Sequence, residues 1–314
     1  MDGPSPRPPR ACVVGSVNVD LFLHVDQLPA RGETVLGRGT SRAIGGKGAN
    51  QAVALARLGA ATSLIGAVGS DDDGRAAAVA VATAGVDLSG LHVDTERPTG
   101  LAAITLDARG ENTIVVTPGA NGACTPAVVR AASPRIEAAD LLLAQLEVPL
   151  EAVDDAFRIA RSGQTIRVLN AAPARPIPGD LLRFVDVLVV NEVEASVLSG
   201  MANHPERAAR ELLQRGPNLV VVTLGERGSL AVDRSGQVIR APAYPVTPVD
   251  TTGAGDAFVA CFALLRATDV SVPDALGAAN VAAALSTLVP GAQAGLPTWD
   301  QVRAALGEPA TAPG

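Results

Sequence analysis

Aromatic side chains are scarce in this sequence, with one Trp, one Tyr and five Phe among 314 residues. Hydrophobic residues still make up 47%, so a sizeable core can be buried if Ala, Val and Leu build it. Cysteine is sparse as well. Cys12, Cys124 and Cys261 are odd in number, far apart and outside any CxxC spacing. They read as small buried apolar residues of a reducing compartment rather than as a disulfide framework. A net positive charge is also lacking: the formal charge is -7. That argues against nucleic acid and anionic membranes as partners, since both favour basic surfaces. It does not exclude a phosphate-bearing small molecule, which backbone N–H groups at a helix start can hold without a basic surface. No run of 18 apolar residues occurs, so no transmembrane span is expected. Met1–Arg10 is Pro-rich and lacks the apolar middle section of a secretory signal. Residues 1–10 read as a disordered tail of a cytoplasmic protein, and Gly307–Gly314 as a frayed one.

What is present is an alternation of β-branched runs with Ala-rich helical patterns. Strands are expected at Ala11–Val17, Thr62–Val68, Leu141–Ala144, Ile166–Leu169, Val187–Val190 and Leu219–Thr223, with a hairpin at Ser229–Val232 and Gln237–Arg240. Helices are expected at Lys47–Leu58, Arg75–Thr83, Leu150–Arg161, Glu192–Leu198, Glu206–Arg215, Ala254–Arg266, Pro273–Leu288 and Thr298–Leu306. Such alternation implies an α/β fold: a doubly wound, mostly parallel sheet with helices on both faces. Residues 20–42 and 99–116 break the alternation with strand-like residues and turn signals, among them Asp107–Gly110. They form either a small projecting sheet, able to act as a lid, or two surface hairpins. No internal repeat or low-complexity linker interrupts residues 11–306, which are expected to form one domain.

Four motifs carry chemistry. Asp250-Thr-Thr-Gly-Ala-Gly-Asp256 runs directly into an apolar helix. Its glycines allow a tight turn and close ligand approach, and the free N–H groups of the first helical turn make an anion hole around Gly253, Ala254 and Gly255. Asp256 either accepts a proton from an attacking hydroxyl or caps the helix. Gly45-Gly-Lys-Gly-Ala-Asn50 opens another helix but lacks the spacing of a Walker loop. It can present N–H, ammonium and amide groups to a polyhydroxylated ligand, or be a Gly-rich turn with a solvated Lys47. Asn18 and Asp20 alternate on an extended segment and so face one side, which suits a vicinal diol; a polar turn is the plainer reading. Asn191 and Glu194 follow a strand end, where open α/β sheets bind ligands. They either orient a hydrated Mg²⁺ beside a triphosphate or cap a helix. The loop Thr223, Leu224, Gly225, Glu226, Arg227, Gly228 follows another strand end and is a nucleotide loop or a hairpin entry. The strand-one turn reads Gly15-Ser-Val-Asn18, without the fingerprint of a dinucleotide site.

The two glycine motifs together resemble the signature pair of the ribokinase-like (PfkB) carbohydrate kinase family. The resemblance covers about residues 11–306, with the motifs in the family's order. The strings GSVNVD, RGETV, IGGKGANQAVA, GENTIVV, GANGA, QLEVPLE, LNAAPAR, NEVEA, VTLGERG and PGAQ are similar to those of its ribose-phosphorylating members, with Pro290 where many have Lys. The resemblance implies ATP-dependent phosphorylation of D-ribose at its 5-hydroxyl. It places sugar contacts on Asn18, Asp20, Gly46, Lys47, Asn50, Glu147 and Asp256. It places ATP contacts on Asn191, Thr223–Gly228, Gly255, Asp256 and Asn280, with Mg²⁺ held through water by Asn191 and Glu194. A monovalent cation, K⁺ in the family, falls to Asp250, Thr252, Ser286, Val289, Gly291 and Gly295, mostly through carbonyls; Gly295 replaces a Ser often found there. A homodimer joined through the lid is implied in the same way. The alternatives within the family are kinases of deoxyribose, fructose, another sugar or a nucleoside. Outside it stand a catalytically silent sensor and a dinucleotide-dependent oxidoreductase.

Overall fold

Apolar runs without polar alternation, such as Leu219–Val222, must be covered on both faces, and a parallel sheet between two helical layers does that. The computed structural model describes residues 7–161 and 163–307. The chain begins with β1 (Arg10–Val14), β2 (Asn18–His24), β3 (Gly39–Gly45), α1 (Lys47–Arg57), β4 (Ala61–Gly69), α2 (Asp72–Thr83) and β5 (Asp87–Asp94). It continues through β6 (Gly100–Leu106), β7 (Asn112–Thr117), α3 (Pro126–Ala131), α4 (Ser133–Glu137), β8 (Leu141–Ala144), α5 (Leu150–Ala160) and β9 (Ile166–Asn170). Then come α6 (Gly179–Leu182), β10 (Val187–Asn191), α7 (Glu192–Ser199), α8 (Pro205–Leu213) and β11 (Leu219–Thr223). The last elements are β12 (Ser229–Asp233), β13 (Val238–Ala241), α9 (Ala254–Ala267), α10 (Val272–Ser286) and α11 (Trp299–Ala305).

The large sheet has the order β13-β12-β11-β10-β9-β8-β1-β4-β5. From β5 to β11 the pairs are parallel, and β12 and β13 add an antiparallel edge. Successive side chains feed opposite layers, as strand geometry requires. Val13, Leu141 and Leu143 pack with α1, α9 and α10, while Cys12, Val14 and Leu142 pack with α5 and α8. The three cysteines are buried and unpaired, and burial pushes each thiol up to about 12. No helix among the described residues is long and apolar enough to cross a membrane.

The two irregular segments build a second sheet, ordered β3-β2-β6-β7, in which β2 and β6 run parallel. Asp107–Gly110 makes its tight turn: Gly110 has φ +83°, and the Asp107 carboxylate accepts from the N–H groups of Arg109 and Glu111. Several boundaries differ from the sequence reading by one to three residues, α2 starting at Asp72 rather than Arg75 among them, and two have a plain physical reason. β1 ends at Val14 because Gly15 turns the chain, donating to the Ile65 carbonyl, and Ser16 then accepts from Ala49 N–H. At the N-terminus, Arg7 pairs with Asp140 and Arg10 already lies in β1, so the ordered chain starts before residue 11. The remainder of the expected tails, residues 1–6 and 308–314, lies outside the described residues. β5, α3, α4 and α6 were not foreseen. β5 is a polar edge strand interrupted by Gly90, and the helices are four to six residues long.

Candidate active site

Helix α9 is preceded by Gly253, which has φ +82° and no room for a side chain: a Cβ would lie 2.6 Å from the Ala292 carbonyl oxygen. Glycine meets both requirements without strain. Two residues on, nothing lies within 4 Å of where a Cβ of Gly255 would be, so the first turn of α9 opens on free space. That fits a phosphate group, whose oxygens would meet first-turn N–H groups that lack intrahelical acceptors. Asp256 follows, and its side chain does not cap the helix. Its two oxygens accept from Asn50 Nδ2 and Gln51 Nε2 of α1, each at 2.9 Å. Burial pushes the Asp256 carboxyl above the usual carboxylate range, against the pull of Lys47 and the two amides. Burial pulls the Lys47 ammonium down, but Asp256, Glu147 and Glu194 outweigh it and hold it above its ordinary value.

Helix α1 is set against the β1 turn by glycines. A Cβ on Gly48 would lie 2.4 Å from the Gly15 carbonyl carbon, and one on Gly46, at φ +89°, 2.7 Å from Asn18 N. This approach brings Lys47 and Asn50 beside the start of β2. Glu147 Oε2 accepts from Ser16 Oγ at 2.5 Å and from Lys47 N–H at 3.1 Å. Asn18 Oδ1 accepts from Asn121 Nδ2 at 2.7 Å. Asp20 lies over Gly45, where a Cβ would be 2.3 Å from its Oδ2. Burial, then the charges of Glu147 and Asp256, push the Asp20 carboxyl up to about 6. Asp20, Lys47, Glu147 and Asp256 therefore share one electrostatic neighbourhood, Asn50 is bonded to it directly, and Asn18 stands two residues before Asp20 on β2.

On the other side of Asp256 a cleft of about 120 Å³ opens at the C-terminal ends of β9, β10 and β11. Lys47, Asn191, Glu194, Thr223, Gly253 and Gly255 are among its walls. Asn191 caps α7 reciprocally with Glu194: Glu194 N–H donates to Asn191 Oδ1 and Asn191 N–H to Glu194 Oε2, both at 2.8 Å. Burial raises the Glu194 carboxyl, although Asn191 N–H and Lys47 pull the other way. Capping thus engages one oxygen of Glu194 and leaves the second for the cleft. Among the described residues, no group of three His, Cys, Asp or Glu is placed to hold a metal. The remainder of the Thr223–Gly228 loop and Asn280 lie beyond the cleft walls. Leu224 N–H donates to the Gly228 carbonyl, Glu226 is exposed, and Arg227 pairs with Glu192. Asn280 Nδ2 donates to the carbonyls of Ala241 and Pro242. A larger surface depression, lined by Arg158, Arg161, Arg167, Arg183 and Phe184, contains none of these residues. Three of its arginines are engaged by Asp154, Asp186 and Asp180.

The six positions proposed for a monovalent cation also converge. Asp250 accepts from Gly291 N–H at 2.8 Å and Thr252 N–H at 2.9 Å. Burial alone would raise the Asp250 carboxyl, but these donors hold it below its usual range. The carbonyl oxygens of Ser286 and Val289 both face Gly295, at 2.1 and 3.1 Å from where its Cβ would be. A Cβ at position 295 would therefore crowd these two carbonyls as the loop stands.

Sequence reasoning missed the amides that hold the site together: the buried Gln51, Asn121, Gln145 and Asn170, and the half-buried Gln293. Asn121 brackets residues 17–18 by bonding both Val17 N–H and its carbonyl. Gln293 donates to Asn50 Oδ1 at 3.1 Å. The one usable signal was spacing, since Lys47 and Gln51 lie four apart on one helical face.

With this geometry in hand, the similarities to known proteins are specific. Residues 9–299 match the pfkB family carbohydrate kinase model. The chain is 42% identical over 295 residues to a ribokinase of Bacillus subtilis, covering 94% of this chain and 98% of that one. It is 34% identical over 294 residues to a deoxyribokinase of Salmonella typhi, covering 92% and 96%. The fold superposes on Arabidopsis thaliana ribokinase complexed with ribose and ATP with a TM-score of 0.90, at 32% identity, over 95% of this chain and 99% of that one. The chain belongs to the pfkB family of carbohydrate kinases.

Proposed function

We propose that this chain transfers the γ-phosphoryl group of ATP to the 5-hydroxyl of D-ribose. The observation that carries the reading is the position of Asp256. It is a buried carboxylate at a glycine-lined helix start, with the cleft of Asn191 and Thr223 on one side and the cluster of Asn18, Asp20 and Glu147 on the other. Asp256 accepts the proton of the sugar hydroxyl as that oxygen attacks phosphorus. The N–H groups of Gly253, Ala254 and Gly255 hold the charge developing on the equatorial oxygens, and Lys47 balances the surrounding carboxylates. Asn18, Asp20, Gly46, Lys47, Asn50 and Glu147 bind the sugar. Thr223–Gly228 and Asn280 border the nucleotide. Asn191 and Glu194 would hold hydrated Mg²⁺, which when bound neutralises phosphate charge. Asp250, Thr252, Ser286, Val289, Gly291 and Gly295 would hold K⁺, which when bound adds positive charge near the anion hole.

The domain assignment, residues 11–306 with the small sheet as a lid over the sugar, belongs to the same reading. So does a homodimer joined through that sheet, since every residue of β7 is exposed and Ile114, Val115 and Val116 are apolar. Three unpaired buried cysteines support a cytoplasmic, reducing location. Deoxyribose is the second reading, because the 34% identical relative is a deoxyribokinase. Coupled ADP release on ribose, 2-deoxyribose, fructose and adenosine, with and without K⁺, decides between them. Ribose is expected to give the highest kcat/KM and K⁺ to raise it. A pocket built to pair each hydroxyl penalises the deoxy sugar by leaving a buried polar group unmatched. Equal rates on both sugars would defeat the assignment.

A further inference from the structure

Gln51 is fully buried and touches Asp256, Asn170 and Gln145 at once. The direction of this network follows from chemistry alone. An ionised carboxylate only accepts, so Gln51 must turn its NH₂ toward Asp256 Oδ1. That places its second N–H on Asn170 Oδ1 at 3.0 Å. Asn170 in turn donates to the Val189 carbonyl at 3.3 Å. The Gln51 carbonyl then faces Gln145 and can be met only by a donor, which Gln145 Nε2 supplies. Gln145 does this at a cost, for its own Oε1 is buried with no hydrogen-bond partner, in space kept by Gly15, where a Cβ would be 2.0 Å away. An apolar side chain at position 145 would remove that unpaired carbonyl but leave the Gln51 carbonyl buried without a donor. What the Gln supplies is one directed donor that fixes which way the Gln51 amide faces.

We infer that Gln51 is a positioning residue: its amide, aimed by Gln145 from behind, fixes the direction of the Asp256 carboxylate so that its remaining lone pairs face the hydroxyl acceptor. This rests on the reading of Asp256 as the base. Gln51 also favours the ionised form of Asp256 in a crowded field. Lys47 from α1 attracts that charge, while Glu147, Asp20 and Glu194 from the loop after β8, from β2 and from α7 repel it.

The test is the carboxyl titration of Asp256, followed by ¹³C NMR in the ligand-free wild type, Gln51→Leu and Gln145→Leu, with Asp256→Asn to assign the signal. Losing one donor to the carboxylate should move the titration to higher pH by about one to two units in Gln51→Leu. Gln145→Leu should shift it less and in the same direction. The acidic limb of the kcat/KM profile for phosphoryl transfer should move alike, with KM for ATP within about threefold, because Asn170 keeps its bond to the Val189 carbonyl and Gln51 touches none of Asn191, Thr223, Gly253 and Gly255. Should Gln51→Leu fail to fold, Gln145→Leu, whose side chain does not reach Asp256, carries the same test. An unshifted titration in a folded variant overturns the inference, since a merely structural glutamine would lower Tm and leave Asp256 unmoved. The NMR readout needs no sugar, so failure of the kinase reading would appear separately, as wild-type protein that titrates as expected but turns over no sugar.

Discussion

Asp20 lies near two other carboxylates and largely out of water, which raises its carboxyl from 3.8 to about 6. Between those values the folded chain keeps a proton that the unfolded chain has released. Folding stability from this group therefore falls as pH rises through that window, and above pH 6 the full cost is present. In the proposed site this carboxylate would accept from a sugar hydroxyl. Asp20→Asn should stabilise the ligand-free protein at pH 7 by up to about 2–3 kcal/mol, with the gain shrinking toward pH 4, while weakening ribose binding. Thermal unfolding at both pH values, with and without ribose, checks this. A variant destabilised at pH 7 would show that Asp20 is a net stabiliser and that repulsion is not what it feels. The glycines were legible at this scale because their conformational demands restrict the residue type directly. Gln51, Gln145, Asn121 and Asn170 were not, because a lone amide in an apolar segment gains meaning only from partners distant in sequence.

At the scale of elements, the start of α9 is where sequence and structure constrain each other most. Gly253 has a left-handed φ and a carbonyl 2.6 Å from its absent Cβ, whereas Gly255 faces open space. Gly253→Ala should cost about 1–3 kcal/mol of strain and displace the Ala292 loop together with the anion hole. Gly255→Ala should leave Tm nearly unchanged but raise KM for ATP, because its methyl enters the cleft. Differential scanning calorimetry with steady-state kinetics separates the two; equal Tm losses would contradict the geometry. The parallel strands and long helices were readable because continuous Val/Leu runs and Ala-rich patterns differ in period. β5 was not, since a polar edge strand carrying Gly90 has a weak signal, and α3, α4 and α6 are too short to show a period.

At the scale of the molecule, the proposed site draws on three places: the large sheet's C-terminal edge, the two helices that meet at Asp256, and the small projecting sheet. The last has an edge strand with exposed apolar side chains. Ile114, Val115 and Val116 are 53%, 69% and 51% exposed on β7, the kind of edge that recruits a second strand or sheet. If two copies join there, Val115→Lys should shift sedimentation from dimer to monomer while leaving the protomer's far-UV spectrum intact. A wild type that sediments as a monomer would remove this part of the account.

The measurement that bears most directly on the central claim is ³¹P NMR of ribose incubated with ATP and Mg²⁺, using wild type and Asp256→Asn side by side. Ribose 5-phosphate should accumulate with the wild type, and the folded, ATP-binding variant should form it about 10²–10⁴-fold more slowly. Phosphorylation at an undiminished rate by Asp256→Asn would contradict the account.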